Sequence, residues 1–277
     1  MTSAHDGSDG FAGASFPPLP EPLPVEIFDG HCHLEMLDVP IPRAVAAAHA
    51  VGIRRIMTIG CDLKSSIWAA QAAEEHGDVY AAVAIHPNDT TGVTDAVLDD
   101  IAKLAVFPQV RAIGETGLDY YRDWAPKEDQ HRSFRAHIDI AKRTGKPLMI
   151  HDREAHDDVL RILAEEGPPE KVVFHCFSGD ADMARICADR GYVMSFAGNV
   201  TFKNAEPLRE ALRVAPPDLI LVETDAPFLT PVPHRGKPNA SYLIPHTVRA
   251  MAEIKGMDVA DLCTAIAATG ERLYGPW

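Results

Sequence analysis

At 277 residues, 46% apolar and 24% charged, the chain has the make-up of an ordinary globular protein. Its length suits one α/β barrel of about 250 residues. The formal net charge of −14 argues against a general nucleic-acid coat or a binder of anionic membranes, both of which need a basic surface. An anionic substrate remains compatible with it, because bound divalent metals reverse the sign locally. The five cysteines (Cys32, Cys61, Cys176, Cys187, Cys263) are scattered and form no Cys-x-x-Cys pair. That pattern points to a reducing, cytoplasmic setting rather than a disulfide framework. The sequence holds no apolar run near the roughly 20 residues of a bilayer span, so no membrane partner is expected.

Residues 1–24 are rich in Gly, Ser, Asp and Pro, with neither a basic start nor an apolar stretch. They are expected to form a disordered tail that becomes a stiffer Pro-rich lead into the domain, and not a secretory signal. Over 25–277 one unit recurs: a short β-branched run, a polar loop, then an amphipathic stretch. Strands are predicted at 25–28, 54–59, 79–85, 110–113, 147–150, 172–174, 192–196 and 219–222. Helices are predicted at 42–51, 64–76, 93–106, 127–144, 154–165, 180–190, 204–213 and 245–255, with a last one at 258–273. Strands alternating with helices imply a parallel sheet, and eight such units favour a single-domain (β/α)8 TIM barrel. The competing open, doubly wound sheet usually carries a Gly-rich phosphate turn after its first strand. Here that strand leads into Asp29-Gly30-His31-Cys32-His33.

In a closed barrel the reactive residues come from the C-terminal ends of several strands. The predicted strand exits carry His31 and His33, then His86, Glu115, His151, His175 and Asp225. Strand geometry sends the His31 and His33 imidazoles, at i and i+2, to the same side. By contrast His49, His76, His131, His137, His156 and His246 fall within or beside helical patterns and are read as packed or solvated histidines. Four histidines (His31, His33, His151, His175) and two carboxylates (Glu115, Asp225) exceed one tetrahedral zinc site. They suit two divalent ions about 4 Å apart with a bridging carboxylate. Imidazole ligands accept zinc, manganese, iron or nickel, and the sequence does not choose among them.

Four stretches carry a resemblance to a known family: Asp29-Gly30-His31-Cys32-His33, Gly114-Glu115-Thr116-Gly117-Leu118-Asp119-Tyr120, His175-Cys176-Phe177-Ser178-Gly179 and Glu223-Thr224-Asp225-Ala226-Pro227. Together they resemble the TatD family of metal-dependent deoxyribonucleases, of the amidohydrolase-type barrel superfamily. The resemblance implies one ion held by His31, His33 and Asp225, a second held by His151 and His175, and Glu115 bridging them. It also implies Asp225 as acceptor of the nucleophilic water's proton. The activity implied is hydrolysis of DNA phosphodiesters, on single strands or 3′ ends, with magnesium or another divalent ion. His86-Pro87 resembles the family's His-Pro, and His86, Arg153 and Arg235 are candidates to contact substrate. The chain departs from the family in having Gly30 in place of Ser or Thr. It also has Arg235-Gly236-Lys237-Pro238-Asn239-Ala240-Ser241 where the family places Asn-Glu-Pro, which leaves that loop's contacts open.

The leading expectation is therefore a two-metal phosphodiesterase with DNA as substrate. Lacking a basic stripe, it should make few phosphate contacts; no obligate protein partner is inferred. The alternative keeps the metals and changes the bond, giving an amide or ester hydrolase of a small molecule or of aminoacyl-tRNA, because one barrel hosts many chemistries.

Overall fold

Short runs of Val, Ile and Ala alternate along the chain with amphipathic helices, and a parallel barrel buries both kinds of face at once. The protein is described by a computed structural model over residues 16–122 and 124–276. Its strands are β1 (Ile27–Cys32), β2 (Ile53–Ile59), β3 (Val79–Val83), β4 (Val110–Asp119), β5 (Leu148–Arg153), β6 (Val172–Phe174), β7 (Val193–Phe196) and β8 (Ile220–Val222). They lie side by side in chain order, each parallel to the next.

The helices are α1 (Ile41–Ala50), α2 (Leu63–Glu75), α3 (Asp95–Leu104), α4 (Lys127–Thr144), α5 (His156–Glu166), α6 (Ala181–Asp189), α7 (Glu206–Val214), α8 (Ile244–Lys255) and α9 (Val259–Tyr274). Asp62, Asp180 and Asp258 start α2, α6 and α9 by accepting backbone N–H bonds. Gly145 and Gly256 end α4 and α8 in the left-handed conformation. Among the described residues no helix is long and apolar enough to cross a membrane.

The seam between β1 and β8 closes at its C-terminal end. Cys32 and Ala226 form an isolated parallel bridge. Asp225 N–H donates to the His31 carbonyl at 2.9 Å, and His33 N–H to the Ala226 carbonyl at 2.8 Å. The buried Asp29 carboxylate reinforces the seam by accepting the Thr224 N–H (2.9 Å) and hydroxyl (2.6 Å). The bonds that shut the barrel thus also fix the backbone around His31, His33 and Asp225.

All eight strands and nine helices lie close to the predicted positions, but three strands run further. β1 continues through His31, β4 through Glu115 to Asp119, and β5 through His151 to Arg153. In β4 the glycines hide the strand from an apolar pattern while making its close approach possible. A Cβ on Gly114 would meet Met149 Cβ at 2.4 Å, and one on Gly117, at φ +140°, would meet the His151 carbonyl at 2.1 Å. The expected tail also differs over 16–24. Leu23 is buried and donates its N–H to the Val51 carbonyl at 3.0 Å. The Tyr242 hydroxyl bonds the Pro17 carbonyl, and Arg249 reaches the Glu21 and Pro22 carbonyls. Composition alone cannot register one anchoring leucine and a set of backbone acceptors. The first fifteen residues of the expected tail lie outside the described residues.

Candidate metal centre

The barrel brings the six proposed donors together around one carboxylate, Glu115. Its Oε1 faces the seam: it lies 3.6 Å from His31 Nε2 and 3.6 Å from His33 Nε2. Asp225 Oδ1 lies 3.6 Å and 3.4 Å from the same two nitrogens, which are themselves 3.3 Å apart. Alternation along an extended backbone is what turns the two imidazoles the same way. Glu115 Oε2 faces the opposite side. It lies 2.9 Å from His175 Nε2 and 3.2 Å from His151 Nδ1, and those nitrogens are 3.3 Å from each other. The His31 and His175 rings stack at 3.9 Å and join the halves.

The second nitrogen of each imidazole is held as well. His175 Nδ1 lies 3.1 Å from Glu223 Oε1, which also accepts the Cys176 N–H at 2.8 Å. His151 Nε2 lies 3.3 Å from Asp119 Oδ2. His31 Nδ1 rests 3.3 Å from Met149 Sδ, and His33 Nδ1 is 3.9 Å from Cys61 Sγ. A carboxylate behind an imidazole fixes the tautomer and leaves the other nitrogen's lone pair facing the centre.

Burial opposes the charge on Glu115, but the imidazoles of His175, His31 and His86 outweigh it and hold the carboxyl well below its ordinary range. Asp225 is lowered in the same sense: burial opposes its charge, while a bond from His33 and the charges of His31 and His175 favour it. His175 behaves conversely, since Glu115 and Glu223 overcome its burial and raise it well above the usual imidazole value. The site is built to keep its carboxylates ionised.

Two observations test whether these residues fit metal ions. Donors about 2.1 Å from a shared ion sit roughly 3.0–3.4 Å apart in octahedral or tetrahedral arrangement; the distances above, 2.9–3.6 Å, fall on those edges or slightly outside them. In addition, Glu115, Asp225, Asp119 and Glu223 pair only with histidines, and no Lys or Arg among the described residues forms an ion pair with any of the four. With no Lys or Arg beside them, these buried carboxylates are left to histidines or to a bound cation, since buried charges are paired or coordinate metals.

His86 stands beside the donor cluster, its side chain 13% exposed. Its Nε2 is 3.3 Å from His151 Nδ1 and 3.9 Å from Glu115 Oε2, and burial pushes its pKa down to about 3. Arg153 and Arg235 stand further out, over the rings of Tyr121 and Phe202. The histidines expected to be inert include one with a structural task. His137 is buried in α4, where its Nε2 accepts the Ile85 N–H (3.1 Å) beside His86 and its Nδ1 donates to the Ser133 carbonyl (2.7 Å).

Sequence reasoning missed Asp119, Glu223 and Asp29. Parity offered a signal for two of them: Asp29 precedes His31 by two residues, and Glu223 precedes Asp225 by two. Asn239 settles the atypical loop. It is buried, its amide donates to the Thr224 carbonyl (3.0 Å) and the Phe228 carbonyl, and its oxygen accepts the Ala240 N–H.

The chain matches the family model described as TatD related DNase over residues 28–275. It is 45% identical over 258 residues to an uncharacterized metal-dependent hydrolase, TatD, of Mycobacterium tuberculosis, covering 89% of this chain and 97% of that protein. It is 39% identical over 252 residues to the uncharacterized metal-dependent hydrolase YabD of Bacillus subtilis, covering 90% and 98%. The fold is shared with the crystal structure of YjjV, a TatD homologue from Escherichia coli K12, at a TM-score of 0.85, 24% identity and coverage of 91% and 98%. With this match running along nearly the whole barrel that gathers the donors, the chain belongs to the TatD family of metal-dependent hydrolases.

Proposed function

We propose that this protein uses two divalent ions to hydrolyse DNA phosphodiesters, working from strand ends or on short single strands. One observation carries the reading: the two oxygens of Glu115 face separate donor sets, His31, His33 and Asp225 on one side and His151 and His175 on the other. When bound, two ions supply the charge that favours ionisation of an attacking water and stabilises the departing oxygen. Glu115 holds the two sets at a fixed separation and stays ionised to do so. Asp225, with its side chain 16% exposed against 4% for Glu115, is the carboxylate that can reach the water and accept its proton. His86 narrows the approach on the His151 side. The family description supports DNA over other esters, as do Arg122, Arg153 and Arg235, none of which forms an ion pair among the described residues.

The test is a digestion time course on end-labelled single-stranded DNA beside a panel of esters and amides, with chelated enzyme as control. Metal-dependent shortening of the DNA is the expected result. Turnover of amides or carboxylic esters with intact DNA would replace the reading by the small-molecule one.

A further inference from the structure

Around the helical shell, several arginines are paired with carboxylates. Arg135 pairs with Glu165 and Glu166, Arg161 with Asp158 and Glu165, and Arg209 and Arg213 with Glu206. Beside the metal centre the pattern changes. Arg153 lies 3.9 Å from the centroid of the Tyr121 ring, and Arg122 lies 4.5 Å from that of Trp124. Neither ring is sheltered: Tyr121 is 57% exposed and Trp124 64%. The chain thus holds two large aromatic side chains in solvent within four residues, each with a guanidinium over its ring.

Their position ties them to the site. Both rings sit on the connection from β4 to α4, directly after Asp119. The Asp119 Oδ2 faces His151 Nε2, while its Oδ1 accepts the N–H groups of Tyr121 (3.0 Å) and Arg122 (2.9 Å). Arg153, two residues beyond His151, is the register partner of Asp119. One carboxylate therefore orients a metal-site histidine and anchors the aromatic loop.

We infer that Tyr121 and Trp124 form a stacking platform for the unpaired bases of a DNA strand whose phosphodiester lies at the metal centre, with Arg122 and Arg153 backing the rings. This rests on the phosphodiester reading and names the form of substrate. A guanidinium over one face leaves the other face of each ring for a base, and any base has a π-face to offer. A duplex hides those faces, so the platform selects single strands and frayed ends. The sequence interleaves Asp123, Glu128, Asp129 and Glu154 with the cations, so attraction to phosphate is blunted and stacking carries the binding. The salt dependence is accordingly shallow.

Anisotropy with the metal-loaded protein tests this, using two labelled strands of equal length linked by cleavage-resistant phosphorothioates. One strand carries thymine bases and the other abasic sugars. The wild type is expected to hold the thymine strand about a hundredfold tighter. Tyr121→Ala with Trp124→Ala brings that ratio to about one, at about tenfold per ring, whereas Tyr121→Phe with Trp124→Phe keeps it. A wild-type ratio near one, or a ratio the alanines leave intact, overturns the platform. Digestion of ordinary single-stranded DNA separates the two claims. Digestion with a flat ratio removes the platform alone, a high ratio without digestion removes the nuclease reading alone, and neither signal removes both.

Discussion

The two halves of the proposed metal centre place their negative charge differently. The seam half, His31, His33 and Asp225, places a carboxylate directly among its donors and backs its imidazoles with sulfur, Met149 Sδ and Cys61 Sγ. The other half, His151 and His175, has no carboxylate of its own beyond the shared Glu115. Its negative charge stands behind the rings, on Asp119 and Glu223. A donor carboxylate can move a proton, whereas a carboxylate behind a ring can only orient it and raise its basicity. Under the proposed function, the asymmetry would give proton transfer to the seam half and positioning to the other.

Glu115→Gln removes the one group both halves share and should give the largest effect. Loss of both ions by metal analysis, with the fold kept by circular dichroism, is the expected outcome. Retention of one ion would mean the halves are independent. Asp225→Asn comes next. It takes the proposed ligand and proton acceptor from the seam half alone, and turnover should fall by at least the 10²–10⁴ that a general base contributes. A fully active variant would remove Asp225 from proton transfer.

A pH effect follows that belongs to neither half. His137 must be neutral to accept from Ile85, and burial pushes its pKa to about 4 from an ordinary 6.5. The unfolded chain thus takes up the proton first, so stability is complete above pH 6.5 and declines as pH falls toward 4, by ~3 kcal/mol. Denaturant midpoints across that range should slope in the wild type and slope less steeply in His137→Gln, the remainder coming from other buried histidines such as His86. An equal slope in both would place the acid sensitivity elsewhere.

Finer still are Asp119→Asn and Glu223→Gln. Each should weaken the ion of the His151–His175 half by about tenfold and leave the seam half's affinity unchanged in a two-step metal titration. Equal weakening of both steps would contradict the division of labour. Met149→Leu should be the smallest change, since it swaps one apolar neighbour of His31 for another of like volume. A loss as large as that of the Asp119 variant would show that sulfur orients His31 as firmly as a carboxylate orients His151.

The barrel and the convergence of the six proposed donors were legible because both are written locally. Each strand is a short β-branched run, and each donor stands where its run ends. Partners brought together from distant strands were not legible: Glu223 lies 48 positions from His175, and Asp119 lies 32 from His151. Nor was the full length of β4, since Gly114 and Gly117 erase the apolar pattern in order to let Met149 and His151 approach. The docking of residues 16–24 depends on single contacts that composition averages away.

The central claim, two ions sharing Glu115, is tested most directly by titrating the metal-free enzyme with manganese while following digestion of end-labelled single-stranded DNA. Activity should stay near zero through the first equivalent and rise to its plateau with the second. Full activity at one equivalent, or digestion in excess chelator, would contradict the account.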